Sequence, residues 1–295
     1  ILVIRIFVRV KHEWLYRERR YCSHLKLNHI LSSSLTESII NTEFFWRYMH
    51  MYKQLLKAAL AVTVVVGTAG TAKADLTLNG NTGMFLNPNA YLVQRDHAKA
   101  QINYFELGNG IQTYNIAGVI RAGDRLEIGA GLSKLKLNDH YYGDNTDFIL
   151  NAKYQLRAPV KGDYALAAGV GYNGALANNK SAYLVASKSF GKVVDKGSVN
   201  ASVGVRVDEF SDYGPNSSKM SIFGGVAVPV ADKLTVIGEL QSKNLENYGS
   251  TPYSLGVRYR ANENFTLSAG LARIGLDYDN GGSKLFAQVG YTFGK

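Results

Sequence analysis

The chain has few side chains with which to catalyse a reaction. Beyond residue 74 it contains no cysteine and only two histidines, His97 and His140. His140 follows Asp139 in the segment LNDHYYGDN, and an Asp/His pair can activate water when a substrate site is built around it. No nucleophile elbow, HExxH sequence or phosphate loop accompanies the pair. A solvated loop histidine is the simpler interpretation, and we predict no catalytic residue.

A divalent-metal site has equally little support. Asp277 and Asp279 stand two residues apart before glycines in DYDNGGS, as in some calcium loops. The closing glutamate and the other ligands of an EF-hand are missing, and an Asn-Gly-Gly turn explains the segment. Without cysteines there is no thiolate site either. We therefore predict no metal and no cofactor.

The chemistry that remains is ionic, because charged residues stand at alternate positions of apolar segments. In residues 198–210, Arg206 and Asp208 alternate with Val203, Val205 and Val207. Such charges do not suit an apolar core, but they suit the watered lumen of a barrel whose other face meets lipid. The main lumen candidates are Lys153, Arg206, Asp208, Glu239, Arg258 and Arg260, joined by Lys99, Arg121, Lys284, Glu127 and Asp147. Two interpretations stay open: the mild basic excess attracts anionic solutes such as acidic saccharides, or salt bridges brace the barrel.

The elements that carry these charges read as strands, since no segment has a convincing helical period. The two-residue alternation predicts twelve strands of membrane-crossing length. They cover residues 98–107, 111–121, 126–136, 146–156, 164–174, 181–190, 198–210, 218–230, 234–243, 252–262, 265–274 and 284–293. We predict an all-β fold, an antiparallel transmembrane β-barrel of about 12 strands at residues 98–295. A soluble β-sandwich or lipocalin-like barrel is the alternative.

Connections and aromatic residues favour the membrane barrel. Longer polar connections alternate with short ones, as expected for outer loops and periplasmic turns, although 157–163 and 191–197 are long for turns. Tyrosines near the strand ends fit interfacial girdles. The last strand, KLFAQVGYTF, alternates except at Phe286, and its aromatic ending resembles the signal that the bacterial barrel-assembly machinery recognises. Lipid and lipopolysaccharide of the outer membrane are the expected surroundings.

The region before the barrel predicts export. Residues 51–74 have a basic start, an apolar stretch and an Ala72-Lys73-Ala74 cleavage site, which together predict a signal peptide cut before Asp75. We interpret residues 1–50 as a mistranslated, disordered upstream extension; a cytoplasmic extension with an anchor is the alternative. Residues 1–74 hold 11 basic and 4 acidic residues, so the basicity of the chain belongs mostly to this leader and does not indicate a nucleic-acid partner.

Residues 75–97 contain a short motif. Gly83, Pro88 and Ala90 form a G-x4-P-x-A pattern after Thr82. This segment resembles the start of the YjbH family of outer-membrane barrels, which are linked to exopolysaccharide production. A glycine permits close backbone approach and a proline discourages helix. The segment is either a plug in the barrel or a lead-in to the first strand.

Together these features predict a non-enzymatic protein of the bacterial outer membrane. The resemblance implies a link to exopolysaccharide production or export. The alternative function is a narrow porin-like channel for small anionic or saccharide solutes. An outer-membrane lipid hydrolase or protease, which would depend on His140, is a third hypothesis.

Overall fold

The computed structural model describes residues 75–108, 110–136, 144–159, 163–194, 197–211, 218–243, 250–275 and 282–294. Two short strands precede twelve long ones. The strands are β1 (Asp75–Leu76), β2 (Thr82–Gly83), β3 (Ala98–Gly108), β4 (Ile111–Arg121), β5 (Leu126–Lys136), β6 (Asn145–Arg157), β7 (Tyr164–Asn173), β8 (Asn179–Val194), β9 (Gly197–Phe210), β10 (Lys219–Ala231), β11 (Leu234–Gln241), β12 (Tyr253–Arg260), β13 (Phe265–Arg273) and β14 (Lys284–Phe293). No helix among the described residues is long and apolar enough to cross a membrane.

Strands β3 to β14 form one closed antiparallel barrel. Each strand pairs with its neighbours in the sequence, and the last strand pairs with the first, with Phe286 opposite Phe105 and Phe293 opposite Ala98. Closure removes every free strand edge, which a lipid environment requires. The predicted twelve-stranded antiparallel barrel is confirmed.

One connection is shorter than the sequence indicated. The segment 191–197 looked like a long turn, but β8 continues to Val194 and β9 begins at Gly197. The register shifts twice there, between Ser189 and Lys192 and again between Lys192 and Val194. Such bulges interrupt the two-residue alternation, so the end of β8 does not look like a strand in the sequence.

The two faces of the barrel differ as lipid and lumen require. Val203, Leu255 and Leu285 point outward, and each is 58–60% exposed. Arg206, Asp208 and the other charged lumen candidates alternate with this apolar surface and point inward. An apolar exterior around a polar interior is the pattern of a transmembrane barrel and the reverse of a soluble protein.

Several inward aromatic rings lie over an inward glycine of the neighbouring strand. A Cβ at Gly169 would come within 2.4 Å of the Tyr183 ring, and one at Gly204 within 2.4 Å of the Phe223 ring. The glycines make room for the rings inside the barrel. This arrangement fills the lumen from the wall with large side chains.

The N-terminal segment lies inside the barrel. β1 pairs with β2, and an isolated bridge joins Gly83 to Pro88, so the segment doubles back twice. Nearly all of residues 75–90 are buried, with Leu76 and Phe85 fully inaccessible. We call residues 75–93 the plug segment.

Candidate functional site

The barrel has two mouths, which we define by their connections. The turn mouth carries the short joins 122–125, 232–233 and 261–264, and the loop mouth carries the longer connections 137–144, 242–252 and 274–283. The chain passes from the plug segment to β3 at the turn mouth. Exposed residues Gln94, Arg95 and Asp96 form this passage.

Glu239 of β11 binds three consecutive backbone amides of the plug segment. Its carboxylate accepts hydrogen bonds from the amides of Phe85 at 2.9 Å, Leu86 at 3.0 Å and Asn87 at 2.8 Å. The hydroxyl of Ser254 donates a fourth at 2.5 Å. Several backbone N–H groups around one carboxylate form strong, charge-assisted bonds. The negative charge of Glu239 therefore binds the plug segment.

A second wall carboxylate, Glu127 of β5, holds the segment near the turn mouth. It accepts hydrogen bonds from the Val93 amide at 2.8 Å and the Thr82 amide at 3.1 Å. Lys153 of β6 lies 3.3 Å from Glu127 and donates to the backbone oxygen of Tyr91 at 2.7 Å. Both charged side chains are fully buried. Their protein partners provide the pairing and hydrogen bonds that buried charges require.

Asp75 of the plug segment reverses this arrangement, since here the plug supplies the acid. Its carboxylate forms an ion pair with Lys99 and another with Arg258, whose Nε lies 2.7 Å away, and it accepts a hydrogen bond from Thr266 at 3.0 Å. Burial alone would raise the pKa of Asp75, but attraction to Lys99 and Arg258 outweighs burial, so its pKa lies below the usual value. Asp75 is therefore ionised at neutral pH.

Neutral side chains of the wall bind further backbone groups of the segment. Gln101 accepts from the amide of Leu76 and donates to its carbonyl, at 3.0 and 2.7 Å. Asn115 donates to the carbonyl of Leu78 at 2.9 Å. The segment pairs only part of its backbone with itself, and buried polar groups that remain need other partners. Here the wall supplies them from many strands around its circumference.

The plug segment also shares an apolar core with the wall. The ring of Phe85 lies 4.6 Å from that of Phe286, which stacks at 5.1 Å on Phe105. Leu78, Met84 and Leu86 of the segment belong to the same buried cluster. Other members come from the wall and the 174–178 turn: Leu107, Leu135, Ala175, Leu176, Ala177, Phe210, Ile237 and Ala272. Burial of this apolar area stabilises the segment inside the barrel, in addition to the hydrogen bonds.

The three motif residues shape the segment. A Cβ on Gly83 would lie 2.3 Å from the carbonyl oxygen of Asn87 and 2.9 Å from Cα of Pro88, so only glycine fits. Ala90 is fully buried; its amide donates to Ser187 at 2.9 Å, and its carbonyl accepts from Gln155 at 2.8 Å. The motif residues therefore lie where the plug segment doubles back inside the barrel.

Arg206 and Asp208 pair with each other near the loop mouth. The guanidinium lies 2.5 Å from the carboxylate, which also accepts from Asn179 at 3.1 Å. A cavity of about 50 Å³ adjoins this pair, bounded by Leu78, Leu86 and Phe210. That volume holds only a few water molecules.

The structure places the remaining candidates as follows. Arg260 lies inward on β12 two residues beyond Arg258, and Lys284 and Asp147 lie inward near the loop mouth. Arg121 bonds the backbone of the turn at Gly123. His97 lies at the turn mouth, with Nδ1 2.8 Å from the carbonyl oxygen of Arg95. His140, Asp277 and Asp279 fall outside the described residues, and the described residues hold no cluster suited to a metal ion.

Sequence reasoning missed the uncharged part of the site. The inward aromatics Phe105, Tyr183, Phe223 and Phe286 contact the plug segment or each other, and so do polar residues such as Gln101 and Ser187. A usable signal was present at Phe286. It breaks the apolar alternation of β14 and lies over inward glycines of β13 and β12, Gly270 and Gly256.

These features define the class of protein: an outer-membrane β-barrel whose lumen is filled by its own N-terminal segment. The exterior is apolar, the wall is closed, and several inward charges bind groups of the wall or of the plug segment: Glu127, Lys153, Arg206, Asp208, Glu239 and Arg258. Among the described residues, the plug segment and inward aromatic rings occupy much of the lumen.

Known proteins that resemble this chain are solved structures of outer-membrane barrels. No family model matches the chain. No curated protein matches it. Among solved structures, the KdgM porin has a TM-score of 0.47 at 10% identity, covering 68% of this chain and 99% of its own. The NanC porin has 0.46 at 14%, covering 67% and 99%. Omp33 of Acinetobacter baumannii has 0.43 at 10%, covering 68% and 100%. At these values the similarity concerns the barrel fold alone.

Proposed function

We propose that the protein is a narrow outer-membrane channel for small anionic or saccharide solutes, and that the plug segment closes it at rest. The observation that carries this proposal is the way in which wall charges are used. Glu239, Glu127 and Lys153 all bind backbone groups of the plug segment, although Glu127 and Lys153 also pair with each other across β5 and β6. A wall braced only by its own salt bridges would not direct these charges to a separate segment.

Displacement of the plug segment would expose the inner face of the wall, and this face suits polar solutes. A twelve-stranded barrel is wider than the eight-stranded barrels that side chains fill completely. Its inward charges have a mild basic excess, with Lys99, Arg258 and Arg260 close to the turn mouth. Fixed charge along a narrow path selects permeant ions. Displacement of the plug segment would therefore open a polar path with a preference for anions.

Planar-bilayer conductance tests this function. The full chain is expressed, extracted from outer membranes and compared with Glu239→Gln, which removes the charge that binds three plug amides. We expect rare openings for the unmodified protein and at least tenfold more frequent openings for Glu239→Gln. Glu209→Gln is the matched control, because Glu209 is exposed and pairs with Lys180 at 3.2 Å on the barrel exterior. A folded Glu239→Gln protein as silent as the control would contradict the channel.

A role in exopolysaccharide production or export is a second proposal. It is supported by the resemblance of the segment that contains Gly83, Pro88 and Ala90, and all three residues belong to the plug segment. Loss of surface polysaccharide after deletion of the coding sequence, restored by the unmodified chain and not by Gly83→Ala, is the expected result. Unchanged polysaccharide would argue against this role and leave the channel untouched.

A further inference from the structure

The lumen contains a carboxylate surrounded by basic and polar side chains near the turn mouth. Lys99 of β3, Arg258 of β12 and Thr266 of β13 converge on the Asp75 carboxylate. Asp75, Lys99 and Thr266 are buried and Arg258 is nearly so. Lys99 and Thr266 contact Oδ1 of the carboxylate, and the Arg258 guanidinium lies within ion-pair distance of Oδ2. Two cations and a hydroxyl around two oxygens suit a carboxylate.

The acid in this arrangement is contributed by the plug segment, which opening of the proposed channel would displace. The wall strands supply the donors, and the plug segment supplies the anion. Arg258 makes two further contacts to the same segment: it donates to the carbonyl of Met84 at 3.1 Å and lies 5.3 Å from the centre of the Phe85 ring. Displacement of the segment therefore takes away the carboxylate, the carbonyl and the ring together. Basic groups left in a narrow lumen after such a loss attract another anion.

We propose that Lys99, Arg258 and Thr266 form the binding site for carboxylate-bearing solutes in the channel, and that Asp75 occupies this site in the closed state as a built-in competing ligand. This inference rests on the proposed channel function. It narrows the solute class to acids with a carboxylate, such as uronic acids. Arg260, on the same inward face of β12, adds positive charge at the same mouth.

Competition between the solute and Asp75 would affect how often the channel opens. Solute carboxylate and Asp75 exclude one another, so a bound solute stabilises the displaced state of the segment by mass action. A neutral sugar of the same size lacks the charge and does not compete. The solute that the channel carries therefore also favours the open channel.

The test uses glucuronate as the probe and glucose as its uncharged counterpart, on the full chain extracted from outer membranes. Asp75→Asn removes the built-in carboxylate and nearly keeps its shape. We expect Asp75→Asn to respond to glucuronate, in channel opening and in thermal stability, at roughly tenfold lower concentration than the unmodified protein. Glucose should have no effect on either. Asp163→Asn is the control, since Asp163 pairs with Arg157 at an exposed site.

Two further variants keep the site falsifiable. Thr266→Val and Lys99→Gln, each combined with Asp75→Asn, should raise the glucuronate concentration needed by about tenfold or more. Equal responses to glucose and glucuronate, or responses unchanged by Thr266→Val and Lys99→Gln, would overturn the site. The thermal measurement needs no conduction, so a protein that binds glucuronate and never conducts would contradict the channel and retain the site.

Discussion

Phe286 of the last strand lies inside the barrel with its ring centroid 4.6 Å from that of Phe85 in the plug segment. Both rings are almost inaccessible to solvent. The strand that closes the barrel is thus also the strand that packs against the plug. The contact between these two rings attaches the apolar part of the plug segment to the barrel wall.

Phe85→Ala is expected to loosen the plug segment. Truncation of a buried phenylalanine costs about 3–5 kcal/mol, through lost apolar burial and the cavity left behind. Hydrogen exchange of the amides of residues 75–93 should accelerate, while the wall amides stay protected. Phe148→Ala is the control, because Phe148 is 61% exposed on the outer face. Equal exchange in the two variants would show that the ring does not anchor the segment.

Gly83→Ala should have the same effect by another route. Its Cβ would meet the Asn87 carbonyl oxygen at 2.3 Å, and backbone atoms cannot move aside as a side chain can. We expect faster exchange of the plug amides and more frequent channel openings. Gly123→Ala is the matched control, since no atom lies within 4 Å of the added Cβ. A Gly83→Ala protein indistinguishable from Gly123→Ala would refute the close approach at this turn.

A cysteine pair tests where the segment lies. The position of a Cβ on Gly225 is 2.5 Å from the sulfur of Met84, and the chain has no cysteine beyond Cys22. Met84→Cys combined with Gly225→Cys should form a disulfide on mild oxidation, visible as a linked peptide by mass spectrometry. Met84→Cys with Val226→Cys should not, because Val226 points outward and is 42% exposed. Equal linkage of both pairs would contradict the inward position of Met84.

The first residue of the exported protein is a separate prediction. The Ala72-Lys73-Ala74 site predicts cleavage before Asp75, the residue whose carboxylate binds Lys99 and Arg258. Mass spectrometry of the extracted protein should find a chain that begins at Asp75. A chain that begins at Ile1 or Met51 would exclude this cleavage.

Much of the barrel could be predicted because lipid and lumen impose a strict alternation on each strand. The strands around Arg206 and Arg258 were placed to within a few residues, since a one-residue slip would turn charges toward lipid. The end of β8 could not be placed, because bulges after Ser189 break the period. Alternation predicts a regular strand between lipid and lumen. It does not predict the end of a strand that contains bulges.

The interior of the barrel was harder to predict than its wall. The charge at Glu239 indicated an inward position, but nothing in the sequence near residue 239 indicates that its partners are the amides of residues 85–87. The plug segment has no period of its own, and side chains from distant strands bind much of the backbone that does not pair within it. Contacts of that kind depend on the closed geometry and are not encoded in local spacing.

Release of the plug segment by proteolysis tests the central claim most directly. A protease-recognition sequence inserted between Arg95 and Asp96, in the exposed passage at the turn mouth, allows residues 75–95 to be cut from an otherwise intact barrel. In the Glu239→Gln background, conductance is recorded before cleavage, after release of the peptide is verified by mass, and after a synthetic peptide of residues 75–95 is added back. The account predicts sustained conductance after release and its suppression by the added peptide. Conductance that stays absent after verified release would contradict it.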